Sequence, residues 1–347
     1  MSQYKVLSCG SNGLGQLGIG SDDDQDTVQE CKFEGFNEIS MKPVSIACGG
    51  NHTLILFESG QVFASGDNTY GQCGVDVDNS RSKYLSFVKI PGSWVQISCG
   101  WEFSVLVNSR NEVFVCGNGL KGELGLGKKT TSIREPTKVD INFPSKIKAI
   151  KSALNHTVIQ LTNGEFYGWG VSRKGQLGVD REKITWVPAQ INWGLNLNLE
   201  QYKFVLGRDF TVLYNDEFHL FGTQNKISDM IESCTYSKRQ LSIWSMWSSI
   251  HIIDADGKVV FLGNNSHGQK FPSTCVSNSQ LFCTGSEHGL TKLENKVYAW
   301  GWGEHGNCGV LKKEDEVVFS NLNEIYQNDN IIDLACGCAT SWIITKN

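Results

Sequence analysis

The 347 residues include 37 glycines, about one in nine against a usual ~7%, and 40% apolar and 19% charged residues. This excludes intrinsic disorder and favours a turn-rich, all-β repeat. Lys and Arg number 31 against 36 Asp and Glu, a net charge of −5 with no basic tail, which argues against a nucleic-acid backbone as main partner.

In chain order, the first predicted element is a strand that starts at Lys5-Val6 and closes on Gly10: a long polar residue, an apolar one, three more, then Gly. The phrase returns at Gln61-Val62, Glu112-Val113, Glu165-Phe166, Glu217-Phe218, Lys258-Val259 and Lys296-Val297, closing on Gly66, Gly117, Gly170, Gly222, Gly263 and Gly301. Its Val, Phe and Tyr content beside Gly, Asn and Asp turns marks a strand. A second phrase, Cys-Gly-x-x-His-Thr and then apolar residues, is read at Cys48 to Thr53, Cys99 to Ser104, Ser152 to Thr157, Leu206 to Thr211, Trp247 to Ile252, Thr284 to Gly289 and Cys336 to Ser341. Inside the chain the second phrase runs through a turn such as Ser59-Gly60 or Asn163-Gly164 into the first, a hairpin signature. At the N-terminus the first phrase stands alone, and at the C-terminus the second does. The two orphans are halves of one hairpin, so strand 331–345 is expected beside strand 4–9. The predicted fold is a single all-β domain over 1–347, a seven-bladed β-propeller closed by pairing of its terminal strands in one blade. The stretch from Lys203 to Met246 is a degenerate copy, with Trp186 and Trp193 before it and Lys238-Arg239 within it.

Several motifs fail a context test. Gly13-Leu14-Gly15-Gln16-Leu17-Gly18 and Gly301-Trp302-Gly303-Glu304-His305-Gly306 match the dinucleotide fingerprint, but no long amphipathic helix follows either, so no cofactor is expected. Of twelve cysteines, Cys48, Cys99 and Cys336 share one repeat slot and Cys9 and Cys116 another, while Cys73 and Cys308 stand where other copies carry Leu. These read as small core hydrophobes, reduced in a cytosolic or nuclear setting, with no metal site. The run Asp22-Asp23-Asp24-Gln25-Asp26 lacks the Gly and the bidentate Glu of a calcium loop. Met1-Ser2-Gln3-Tyr4-Lys5 has no apolar h-region and no apolar run approaches ~20 residues, so neither secretion nor a helical membrane span is expected. No nucleophile with its own base appears, and no catalytic residue is assigned.

His52, His156, His251 and His288 are read as one slot, filled by Phe103, Phe210 and Thr340 elsewhere, which suits a packed corner residue. Equivalent turns of a propeller converge on one face. Trp101, Glu102, Asp209, Trp247, Glu287, His288, Trp302, Glu304 and His305 are therefore the candidate partner-binding residues, since indoles desolvate at little entropic cost. Trp169 and Trp300, just before repeat glycines, are expected to fill blades.

These phrases resemble those of the regulator-of-chromosome-condensation family of seven-bladed β-propellers, over essentially the whole chain. Met246-Trp247-Ser248-Ser249-Ile250-His251, Gly285-Ser286-Glu287-His288-Gly289, Trp300 to Gly309 and Gly337-Cys338-Ala339-Thr340-Ser341-Trp342 resemble its fungal alpha-tubulin suppressor, or killer-toxin-insensitivity, branch. The resemblance implies a non-catalytic scaffold that forms a heterodimer with the small zinc-ribbon electron-carrier protein of diphthamide biosynthesis. It further implies a part in diphthamide modification of elongation factor two and in Elongator-dependent wobble-uridine modification of transfer RNA, with any Elongator contact indirect. The expected location is the cytoplasm, with the nucleus second, and neither DNA nor a membrane is an expected partner. The alternative, implied by the founding member, is guanine-nucleotide exchange on a Ras-like small GTPase. Against it, neither Val179 to Lys203 nor Lys226 to Gln240 reads as an inserted wedge hairpin.

Overall fold

The computed structural model describes residues 3–36, 38–75, 81–179, 182–222, 227, 241–273, 276, 281–310 and 317–347. Among these, 26 strands form seven antiparallel sheets. The first blade holds β3 (Pro43–Cys48), β4 (His52–Phe57), β5 (Val62–Asp67) and β6 (Lys83–Ile90). The second holds β7 (Gln96–Cys99), β8 (Phe103–Val107), β9 (Val113–Asn118) and β10 (Ser132–Lys138). The third holds β11 (Ile147–Ala153), β12 (His156–Leu161), β13 (Phe166–Val171) and β14 (Ile184–Gln190). Three strands each make the fourth blade, β15 (Lys203–Leu206), β16 (Phe210–Tyr214) and β17 (Phe218–Gly222), and the fifth, β18 (Ser242–Ser245), β19 (Ser249–Ile253) and β20 (Val259–Gly263). The sixth has β21 (Phe282–Thr284), β22 (His288–Leu293), β23 (Lys296–Trp302) and β24 (Val318–Gln327). The seventh is composite, in the order β2 (Gln25–Glu30), β1 (Tyr4–Gly10), β26 (Thr340–Lys346), β25 (Ile331–Cys336).

The ends of the chain close the ring, with a refinement of the expected pairing. Residues 331–345 form a hairpin instead of one strand, and its second arm pairs with β1 from Tyr4↔Lys346 to Gly10↔Thr340. The first arm, β25, is an innermost strand. Strands β3, β7, β11, β15, β18, β21 and β25 each abut the next around the channel.

Between neighbouring blades lies one apolar cluster, seven in all among the described residues. The strand period of two explains the sharing. Phe103, Val105 and Val107 of β8 face the third blade, while Leu106 faces the first. Both faces of each blade are covered, so β4, β8, β12 and β16 are buried at every residue. Each fully buried aliphatic side chain contributes about 1.5–3 kcal/mol. Trp169 and Trp300 are completely enclosed, as expected of blade fillers, and Trp193 is wedged against Phe166 and Phe221. Residues 191–202 carry no strand; apart from Ile227, the stretch Lys226 to Gln240 with Lys238-Arg239 lies outside the described residues.

The seven phrase-ending glycines have one conformational job. Their φ runs from +94° at Gly170 to +120° at Gly263. A Cβ there would land 2.2–2.5 Å from the carbonyl oxygen of Ala339, Asn51, Glu102, Asn155, Asp209, Ser248 or Glu287. The degenerate copy keeps this feature at Gly222, so its decay spares the backbone turn.

Candidate partner-binding face

The turns from each innermost strand to the next converge on one mouth of the channel. Six of them are closed by main-chain bonds: Gly49 N–H to His52, Gly100 to Phe103, Gly207 to Phe210, Met246 to Ser249, Gly285 to His288 and Gly337 to Thr340. Neighbouring turns are also bonded through their backbones, Gly50 N–H to Trp101, Trp101 to Leu154, Arg208 to Trp247, Trp247 to Ser286 and Ser286 to Gly337, at 2.7–3.1 Å. Main-chain bonds make five of the seven joints of this ring. The side chains at its tips are free to vary, and they read Gly50, Trp101, Leu154, Arg208, Trp247, Ser286 and Cys338. All of these but Arg208 line a cavity of about 150 Å3.

That bonding corrects the sequence reading of the fifth blade. The Met246 to Ser249 bond, with Ser245↔Ile250 and Ser249↔Gly263 in register, puts Ser249 in the slot of His52. His251 lies two residues further on, where its Nε2 accepts from Phe271 N–H at 3.2 Å beside the Trp300 ring. Met246 stands where most copies carry Gly, which is why the residue pattern alone points to His251. The corrected register puts Trp247 at the position of Trp101, and the two indoles meet from the second and fifth blades, 5.7 Å between ring centroids at 52°.

The histidine slot is structural. His52, His156 and His288 are buried, and desolvation pushes each imidazole down to about 4, so all are neutral at pH 7. His52 Nε2 lies 2.9 Å from Ser104 Oγ and His288 Nε2 3.1 Å from Ser341 Oγ. His288 therefore supports the face from beneath and does not project from it.

The remaining candidates divide into two groups. Trp247, Glu287, Trp302, Glu304 and His305 line one cavity of about 120 Å3 between the fifth, sixth and seventh blades, floored by His288. Trp302 stacks on His267, centroids 4.5 Å apart at 14°. His305 Nδ1 meets Asp24 Oδ2 at 2.8 Å across 281 residues of sequence. Glu287 accepts from Gln269 Nε2 at 2.6 Å and from Ser248 Oγ at 3.3 Å, while burial raises its carboxyl above the ordinary range against those bonds. Glu102 and Asp209 sit elsewhere on the ring. Glu102 accepts from Asn118 Nδ2 at 2.7 Å, and Asp209 pairs with Arg208 at 2.9 Å.

Sequence reasoning missed Cys338, which lies between the two cavities. Its signal was available, for it occupies the same turn position as Trp101. It also missed Asp24, His267 and Gln269, which lie in loops of other repeats and reach the site only through the ring. The ten described cysteines are free thiols, and burial pushes Cys9, Cys31, Cys48 and Cys116 up to about 12. No group of three His, Cys, Asp or Glu among the described residues is arranged to hold a metal.

Human WBSCR16 superposes with a TM-score of 0.79 at 16% identity, covering 99% of this chain and 100% of its own. Prp20p of Saccharomyces cerevisiae, described with binding properties to Gsp1p and histones, gives 0.81 at 20% identity over 99% of this chain and 91% of its own. Both support the propeller fold. In sequence, the mouse secretion-regulating guanine nucleotide exchange factor is 22% identical over 88% of this chain and 75% of its own. An RCC1 repeat-containing protein of Schizosaccharomyces pombe is 32% identical over 98% of this chain and 99% of its own. Residues 5–343 match the RCC1-like domain, and with that relative they make this chain a member of the RCC1-like propeller family.

Proposed function

We propose that this propeller is a non-catalytic scaffold whose channel face grips a small zinc-ribbon electron-carrier protein of diphthamide biosynthesis as a heterodimer. The complex would serve diphthamide modification of elongation factor two and, through Elongator, wobble-uridine modification of transfer RNA, in the cytoplasm and also the nucleus. The carrying observation is convergence. The four segments that resemble the alpha-tubulin suppressor branch contribute Trp247, Glu287, Trp302 and Cys338 to one cavity. The main-chain ring carries Trp247 and Cys338, while Gln269 fixes Glu287 and His267 stacks on Trp302, so the cluster is held rigid, which suits hot-spot contacts.

A second reading, nucleotide exchange on a Ras-like GTPase, draws on the printed name of the mouse relative and on the carboxylates at the channel mouth. One titration separates the two. The purified chain is mixed with the zinc-ribbon protein and, separately, with nucleotide-loaded small GTPases. A submicromolar one-to-one complex with the first, and no faster nucleotide release from the second, supports the scaffold; the converse supports exchange. In the scaffold case, replacing Trp302 and Glu304 by Ala weakens the complex by about 2 kcal/mol or more, measured by calorimetry. Unchanged affinity moves the interface off this sector.

A further inference from the structure

We infer that the cavity between Trp247 and Trp302 is a seat for one long aliphatic side chain ending in a cation, a lysine or arginine presented by the protein that docks on this face. This rests on the docking-face reading above but not on the identity of the partner.

At about 120 Å3 the cavity is far smaller than the roughly 300 Å3 at which sites for cofactors and small molecules begin. It has room for one side chain. Its walls are mostly apolar, with indoles from two blades, and its rim carries Glu287 and Glu304. No lysine or arginine is among the described residues that line it. The nearby Arg208 is paired with Asp209, and His305 Nδ1 is bonded to Asp24. Glu287 is half-buried and held in place by Gln269 and Ser248, so its charge is aimed but only partly hydrated. A purely apolar occupant would desolvate these carboxylates without compensation, and an anion would be repelled. A methylene stem against the indoles with its charge at the rim satisfies both halves of the site, and the indole faces add attraction for the cation.

The test observes the indole N–H signals of the full chain by NMR, assigned with Trp247→Phe and Trp302→Phe. The probes are the blocked tripeptides Gly-Lys-Gly and Gly-Arg-Gly and, as the uncharged control, Gly-norleucine-Gly. The two assigned signals are expected to move with the charged peptides and not with norleucine. Binding should weaken about fivefold in Glu304→Gln, whose exposed side chain is not needed for folding. Equal shifts with norleucine, no shift at the solubility limit, or unchanged binding in Glu304→Gln overturns the inference. Partner identity fails separately: if the lysine peptide binds as described but the zinc-ribbon protein does not, the seat stands and another basic partner fills it. If the zinc-ribbon protein binds while norleucine matches lysine, the scaffold stands and the seat falls.

Discussion

Two sectors of the ring build the same bridge between blades with charge and amide exchanged. Between the second and third blades, Glu123 receives the Lys121 N–H at 2.6 Å and Asn155 Nδ2 at 3.0 Å, while its own carbonyl accepts Trp169 Nε1 at 2.7 Å. Between the fifth and sixth, Gln269 receives the His267 N–H at 2.9 Å and gives Nε2 to Glu287 at 2.6 Å, and its carbonyl accepts Trp300 Nε1 at 3.0 Å. The repeat requires a donor facing an acceptor and is indifferent to which residue carries the charge. In the third-blade sector the carboxylate is sealed under the loop; in the sixth it is turned onto the channel face. A structural bridge has thus been reversed into a display of charge, and Gln16 with Asn51 is the neutral form of the same device.

The equivalence of the sectors is most exposed to change at Gly170 and Gly301. Both have positive φ and a neighbouring carbonyl where a Cβ would go. Gly170→Ala and Gly301→Ala should each lose more than about 2 kcal/mol in urea unfolding. A large loss at only one of them would break the comparison.

The next largest difference lies in the paired histidines. His288 bonds Ser341, whereas neither ring nitrogen of His156 makes a hydrogen bond of good geometry, although the Ala153 carbonyl faces the ring. Both have folded pKa values of about 4, below the unfolded value near 6.5, so the unfolded chain binds more protons between those limits. The stability they leave intact above pH 6.5 is lost as pH falls toward 4, at up to about 1.4 kcal/mol per pH unit for each histidine. His156→Phe, copying Phe103 and Phe210, should remove one such contribution from the acid limb at little cost at pH 7. His288→Phe should do the same but lose about 1 kcal/mol at pH 7 with the Ser341 bond. Urea midpoints from pH 7 to pH 4 decide this, and an unaltered acid limb in both variants would refute it.

The smallest effect sharpens the comparison of charge. Burial raises the Glu123 carboxyl above its ordinary range, outweighing its main-chain bonds and Asn155. A raised folded pKa means the folded state gains stability as pH falls through the carboxylate range and forgoes it at neutrality. Glu123→Gln rebuilds the Gln16–Asn51 form of the bridge, so it should be stabilising by less than about 1 kcal/mol at pH 7 and lose that advantage on acidification. Thermal midpoints of both proteins at pH 7 and pH 4 would show the crossing, and a destabilised variant at pH 7 would contradict it.

The amino-acid sequence by itself determined the number of blades, the closure of the ring by its ends, the seven glycines and the burial of Cys9, Cys73, Cys99, Cys116 and Cys308 and of Trp169 and Trp300. Each is a demand that one hairpin makes on its own backbone or core, so each copy records it locally and repetition makes it legible. Even the Gly222 copy, whose following loop has lost the motif, kept its turn. Only the tertiary structure decided that Ser249 and not His251 fills the fifth corner, that Trp101 meets Trp247 across the channel, and that Asp24 reaches His305. It also decided that the carboxylate of one bridge, Glu123, is sealed and that of the other, Glu287, is displayed. The fifth corner rests on the Met246 to Ser249 main-chain bond, which the residue pattern does not mark; the other contacts join residues of different blades, and their distances depend on the curvature of the closed ring, a property that no single repeat contains.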